Sequence, residues 1–167
     1  MGKLVVVEND KVEGTDTHEV AGIGPNPGAP PPTANFKGTG RFDYKGKMTD
    51  QLSDFVKIDG KPIALKNSKS SLNPGESAPT GKHGGPNGSG YAPGPGSVAT
   101  QPTASSLSIT DPVGPGNPSS SAGSIFVKIA STAVLLDGDK IDTCDALSAP
   151  MNSTVTAEKQ SFVSCSE

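Results

Sequence analysis

The tetrapeptide Phe-Val-Lys-Ile occurs twice, at 55–58 and at 126–129. Each copy is followed at the same distance by a second apolar run, Ile63-Ala64-Leu65 and Val134-Leu135-Leu136. The offset of 71 residues also brings Lys69 onto Lys140. Short runs rich in β-branched and aromatic residues read as strands. In the first copy Asp59-Gly60 lies between the runs, a favoured pair for a two-residue type I′ turn. Two similar hairpins are therefore predicted, over 54–65 and 125–136. An isolated two-stranded hairpin is marginal in water, so two such repeats are expected to share one narrow core; chance reuse of a common strand motif is the alternative.

The rest of the sequence agrees with a small core. Only 32% of the 167 residues are hydrophobic and 4% aromatic, with no Trp, where an ordinary globular domain is nearly half apolar. No long amphipathic helix is visible; "MTDQLSDF" (48–55) has room for one or two turns capped by Thr49 or Asp50. The expected fold is all-β, one domain over 1–167. "KLVVV" (3–7) reads as a short buried strand, Ile125–Ile129 and Ala133–Leu136 as two more, and Phe162-Val163 as a last one. Phe42 and Tyr44, two apart, share a strand face, while Gly38, Gly40 and Gly46 suit tight bends and bulges. Pro62 belongs at an edge or bulge. "PNPGAPPPT" (25–33) favours extended polyproline geometry. Residues 71–123 are rich in Gly, Pro and Ser. They form either a disordered loop or insertion, or an irregular ordered coat over the β core; within them Leu107 and Ile109 fit one short strand.

Lys and Arg number 14 against 17 Asp and Glu, so the chain lacks the basic field that nucleic-acid binding needs. No apolar run is long enough to span a bilayer. The start "MGKLVVVENDK" lacks the h-region and cleavage site of a signal peptide, and Val6 breaks the myristoylation pattern after Gly2. A chain made and folded in a cytosol is expected, which disfavours a Cys144–Cys165 disulfide.

Four rare residues carry the clearest chemistry: His18, His83, Cys144 and Cys165 are all the histidines and cysteines of the chain. Imidazole and thiolate are the donors of structural zinc, and two of each complete a tetrahedral shell. A core-poor domain gains most from such a staple. The spacing matches no short finger pattern, so two surface histidines and two inert thiols remain the alternative. "GESAPTGKH" (75–83) is not a phosphate loop: five residues separate its glycines and His83 stands where Ser or Thr must bind magnesium. "NST" (152–154) fits a glycosylation acceptor but needs a secretory route. Asp137, Asp139 and Asp142 lack the spacing of a calcium loop and are read as turn residues. No nucleophile elbow or local Ser-His-Asp set supports catalysis, and no enzyme is expected.

"GSIFVKIASTAVLLDGDKIDTC" (123–144) resembles the PAAR repeat pattern, with a Gly-Ser opening, a strand-turn-strand hairpin, a Gly-Asp step and then a cysteine. "DFVKIDGKPIAL" is similar to a second copy, and "GTDTHEV" to the histidine-bearing N-terminal segment. The layout resembles the PAAR-like spike tips of phage-tail-derived contractile injection systems, especially the extracellular kind. The resemblance implies a small β cone whose broad base sits on a trimeric β-helical spike, one tip per trimer, with one metal, usually zinc, near the apex. It implies a structural, membrane-piercing role in toxin delivery from a released particle. The family's shell is three histidines and one cysteine; here His18, His83, Cys144 and Cys165 would have to supply it. The two hairpins would form the base, with Phe55, Ile58, Ile63, Phe126, Ile129 and Val134 against the spike. Three other readings stay open: a secreted or surface binding module with a flexible Gly/Pro-rich linker, a small metalloenzyme with an open coordination position, and a disordered protein.

Overall fold

The computed structural model describes residues 2–72, 88–111, 114–144 and 150–166. Among them the chain is all-β, with one 3₁₀ turn at Ala104–Ser106 and no α-helix. In chain order the strands are β1 (Lys3–Leu4), β2 (Lys11–Pro25), β3 (Thr33–Asp50), β4 (Lys57–Ile58), β5 (Lys61–Pro62), β6 (Lys69–Leu72), β7 (Gly88–Pro93), β8 (Ser108–Ile109), β9 (Asn117–Pro118), β10 (Lys128–Ile129), β11 (Thr132–Ala133), β12 (Lys140–Asp142), β13 (Ser153–Thr156) and β14 (Ser164–Cys165).

The two predicted hairpins form, as β4–β5 and β10–β11, in the same register: Ile58 pairs with Lys61, and Ile129 with Thr132. Asp59 (φ 50°) and Gly60 (φ 75°) both lie in the left-handed region, as a type I′ turn requires. Ala130 (φ 45°) and Ser131 (φ 68°) adopt the same turn without a glycine. A third lobe, not foreseen, is assembled from the two ends of the chain: β14 pairs with β1, Cys165 opposite Lys3 and Ser164 opposite Leu4.

The apolar triplets that follow these lobes, Val5-Val6-Val7, Ile63-Ala64-Leu65 and Val134-Leu135-Leu136, close into a ring. Val5 bridges Leu136, Val7 bridges Ile63, and Leu65 bridges Val134. The middle residues complete a cycle of backbone hydrogen bonds: Val6 N–H to Leu135 O (3.0 Å), Leu135 N–H to Ala64 O (3.0 Å) and Ala64 N–H to Val6 O (2.9 Å). Each triplet ends in the same turn, its last N–H donating to a side chain three residues on: Val7 to Asp10 (2.7 Å), Leu65 to Ser68 (2.8 Å) and Leu136 to Asp139 (2.8 Å). Each lobe also opens alike, with Val56, Val127 and Val163 N–H donating back to Ser53, Ser124 and Gln160 side chains (3.1, 3.0 and 2.9 Å). The ring is thus a pseudo-threefold unit. Strand alternation sends its middle residues to one side, into a core with Val12, Tyr44, Met48, Ile141 and Val155. The outer residues of the triplets pack on the other side with Ile58.

Above the ring the strand order β6-β3-β2-β13-β12-β9 makes a sheet that nearly closes on itself. Ser70 and Gly116 exchange N–H···O bonds (2.9 and 3.0 Å) between its two ends. Near closure removes the edges that a small sheet would otherwise expose. β2 and β3 continue beyond this belt as a ribbon, paired from Lys11↔Lys47 to Pro25↔Thr33, a span of about 45 Å at the usual rise per residue. Among the described residues, the far half of the ribbon is flanked only by β8 on β2 and β7 on β3, so six strands give way to four. A separate core lies there, built on Val20, Phe36, Phe42, Ala99, Leu107 and Ile109. Described residues 88–111 are the irregular coat: their backbone bonds the ribbon at Lys37 (from Gly94), Asn35 (from Val98 and Ala99), Ile23 (from Thr103) and Glu19 (from Thr110).

Several expectations change. Residues 48–50 finish β3 and no helical turn forms over 48–55. Even-numbered residues of β3 face inward from Phe36 to Met48, so the glycines among them are strand-interior positions. A Cβ on Gly38 would lie 2.0 Å from Ala92 O, and one on Gly46 would lie 2.3 Å from Ser71 O. Close approach of a neighbouring strand, rather than bending, requires them; only Gly40 sits at a register shift, between Thr39 and Arg41. Ile125 and Phe126 precede β10 and are exposed. The acidic trio does serve turns: Asp137 accepts from Ala157 N–H (2.8 Å), Asp139 from Leu136, and Asp142 from Met151 N–H.

Candidate metal centre and threefold base

Along β2 the inward positions are every second residue, and they read Val12, Gly14, Asp16, His18, Val20. Two polar side chains thus enter the interior at adjacent inward places. Asp16 and His18 are 1% and 0% exposed. Cys144 reaches the same point from the far side, two residues past β12, where a positive φ (53°) ends the strand. One donor atom from each of Asp16, His18 and Cys144 lies within 4.8 Å of the other two.

The surroundings fix these side chains. Thr143 Oγ1–H and Asn152 Nδ2–H (2.6 Å) both donate to Asp16 Oδ1. Ser153 Oγ–H donates to Thr143 Oγ1 (2.8 Å), and Thr143 N–H to Asn152 Oδ1 (2.9 Å). His18 Nδ1–H donates to Asp111 Oδ2 at 2.9 Å, while Nε2 lies 3.9 Å from Asp16 Oδ2. The imidazole meets Phe42 edge-on, ring centroids 5.6 Å apart. Cys144 Sγ sits 3.8 Å from Gly114 O. Burial pushes the Cys144 thiol well above its usual range, and the Asp16 carboxylate adds to that.

These donors fit a cation. Carboxylate, imidazole and thiolate together suit a borderline divalent ion such as zinc. Two buried carboxylates, Asp16 and Asp111, are costly without a positive charge nearby. Asp111 is 5% exposed in its side chain, and its Oδ1 is buried with no hydrogen-bond partner among the described residues, a deficit that a nearby cation offsets. Of the four residues expected to ligate, the structure brings His18 and Cys144 together. His83 lies outside the described residues. Cys165 is not part of the group: it sits in β14 opposite Lys3, packed against the cluster formed by the outer triplet residues and Ile58. Asp16, not among the expected ligands, offers a third donor: Asp16-Thr17-His18 on a strand places both side chains on one face.

The second candidate site is the outer face of the ring. Phe55, Phe126 and Phe162 are 70%, 69% and 68% exposed. Each directly precedes the valine whose carbonyl accepts from the first residue of a triplet: Ile63 to Val56 (3.2 Å), Val134 to Val127 (3.2 Å) and Val5 to Val163 (3.0 Å). The three rings therefore occupy pseudo-equivalent places. Ile58, Ile63 and Val134, expected as contact residues, are buried beneath this face, and Ile129 is half-buried. They hold the lobes together and present little surface. Phe162 was absent from the expected set because its lobe is split between the chain ends.

Comparison with protein-family models, with curated proteins and with solved structures finds no match to this chain.

Proposed function

We propose that the chain is the tip of a contractile injection spike: a PAAR-like cap that sits on a trimeric β-helical spike protein and leads it through a target membrane. The observation that carries this reading is the pseudo-threefold ring with one exposed phenylalanine per lobe. A threefold partner offers three identical surfaces, and three like side chains at like positions match it with one tip per trimer. Exposed large aromatics repeated at equivalent positions of the three lobes mark an interaction surface.

The far end suits penetration. Among the described residues the strand count falls along the ribbon, and residues 27–33 at its turn are exposed. A zinc ion held by Asp16, His18 and Cys144 would cross-link β2 to the segment after β12 and stiffen the body partway along. The role is structural, with no catalysis, and the protein acts as part of a particle released from the cell that made it.

The test is co-purification. The chain should be found with contractile particles at one copy per spike trimer, by quantitative mass spectrometry of intact particles. A Phe55→Asp, Phe126→Asp, Phe162→Asp variant that keeps its strand circular dichroism should be lost from them. Particles that exclude the wild-type chain, or that hold the triple variant as well as wild type, refute the reading.

A further inference from the structure

The buried cluster poses a question of orientation: which atoms of His18 and Asp16 face the third donor, Cys144. A carboxylate only accepts, so the 2.9 Å contact between His18 Nδ1 and Asp111 Oδ2 places the ring proton on Nδ1. In the neutral ring Nε2 then carries the lone pair, and it is Nε2 that lies 3.9 Å from Asp16 Oδ2. Asp16 is sorted in the same way. Its Oδ1 is held by the Thr143 hydroxyl and the Asn152 amide, which leaves Oδ2 turned to the imidazole.

We propose that Asp111 is a positioning residue for a divalent metal, setting the tautomer of His18, and that Thr143 and Asn152 do the same for the Asp16 carboxylate. This rests on the metal reading above and extends it. A histidine ligand commonly donates its other ring N–H to a carboxylate, which fixes the ring and raises its basicity as a ligand. His18 Nε2, Asp16 Oδ2 and Cys144 Sγ are thereby presented as a three-donor face before any ion arrives. The arrangement has a topological consequence. Asp111 directly follows Thr110, whose N–H bonds Glu19 O at 2.9 Å, so the positioning carboxylate comes from the Gly/Pro-rich coat and the ligands from β2 and the segment after β12. Metal occupancy and docking of the coat at β8 are therefore coupled.

Cobalt(II), a spectroscopic stand-in for zinc, tests this on the full-length chain. Wild type should bind about one equivalent, with a thiolate-to-cobalt charge-transfer band that Cys144→Ser removes. Competition with a chromophoric chelator should show Asp111→Ala binding about 10- to 100-fold more weakly. Asp111→Asn, whose amide oxygen still accepts from Nδ1–H, should recover most of that loss. Nitrogen-15 spectra of histidine-labelled protein read the tautomer directly: Nδ1–H in wild type and in Asp111→Asn, mixed in Asp111→Ala. Unchanged affinity in Asp111→Ala overturns the proposal, as does an Nε2–H tautomer in metal-free wild type; the latter holds even if the alanine variant fails to fold. Wild type that binds neither cobalt nor zinc refutes the metal reading itself and leaves the threefold base to be judged separately.

Discussion

The three turns that follow the ring triplets are chemically unequal, and that inequality predicts a stability ranking. Asp10 is fully buried and its carboxylate accepts three backbone N–H bonds, from Val7 (2.7 Å), Glu158 (2.8 Å) and Lys159 (2.8 Å). Asp139 accepts two on one oxygen, from Leu136 (2.8 Å) and Gly123 (2.9 Å). Ser68 accepts one, from Leu65 (2.8 Å), and donates one, to Gln51 O (2.8 Å). A hydrogen bond to a charged acceptor contributes about 1.5–3 kcal/mol net, and an ordinary one about 1 kcal/mol. Truncation to alanine also strands the donors, and shared acceptors do not add fully. Asp10→Ala should thus cost about 4–6 kcal/mol, Asp139→Ala about 3–4, and Ser68→Ala about 1–2. In a domain of this size each kcal/mol lowers Tm by about 2–4 °C, so Asp10→Ala should lower it by about 8–24 °C. Urea unfolding followed by circular dichroism measures all three, provided the slopes match wild type. A Ser68→Ala cost equal to or above that of Asp10→Ala refutes the reasoning, because the three turns would then owe their stability to something other than the bonds to these side chains.

Replacing Ala130-Ser131 with Asn-Gly should stabilise the chain by about 1–2 kcal/mol, since both residues hold left-handed φ values that Asn and Gly adopt at less cost; a lower urea midpoint counts against the turn assignment. Gly46→Ala should cost about 1–3 kcal/mol or more by overpacking against Ser71 O and the Tyr44 ring, while Gly60→Ala meets no atom within 4 Å and should lose only the φ preference, about 1 kcal/mol. Burial pushes the Tyr44 hydroxyl up to about 12. The folded state therefore favours the neutral phenol, and its contribution of about 2–3 kcal/mol is intact below pH 10 and lost between pH 10 and 12. Tyr44→Phe should move the alkaline unfolding midpoint upward, and an unmoved midpoint argues against this origin.

The two hairpins were legible because both copies keep Phe-Val-Lys-Ile and a return run within one continuous segment. The third was not, for a physical reason. Its two halves, Phe162-Val163-Ser164-Cys165 and Lys3–Val7, are separated by nearly the whole chain. A search along the sequence at a fixed offset cannot join them, because the lobe exists only after the ends meet. The site was half legible for a related reason. Rarity drew attention to His18 and Cys144, but rarity does not measure distance. Cys165 is as rare as Cys144 and stands opposite Lys3 on the base side. Asp16 and Asp111 are common residues made particular by burial, and burial depends on how β2 meets the coat.

A body this poor in apolar side chains keeps its shape through bonds that close on themselves. The ring returns to its start in three hydrogen bonds, Val6 to Leu135 to Ala64 to Val6, and the belt returns through Ser70 and Gly116. Opening a closed cycle at one bond leaves the others in place, so local opening gains little chain entropy until several break together. The small residues Ala64, Gly46 and Gly116 fit this scheme, because they let backbones approach where a larger side chain would part them. Force applied along the β2–β3 ribbon is then carried by covalent backbone into the ring, where Val7 and Met48 bracket the same turn through Asp10 and Asn9. The ring's stiffness comes from geometry that its three lobes share.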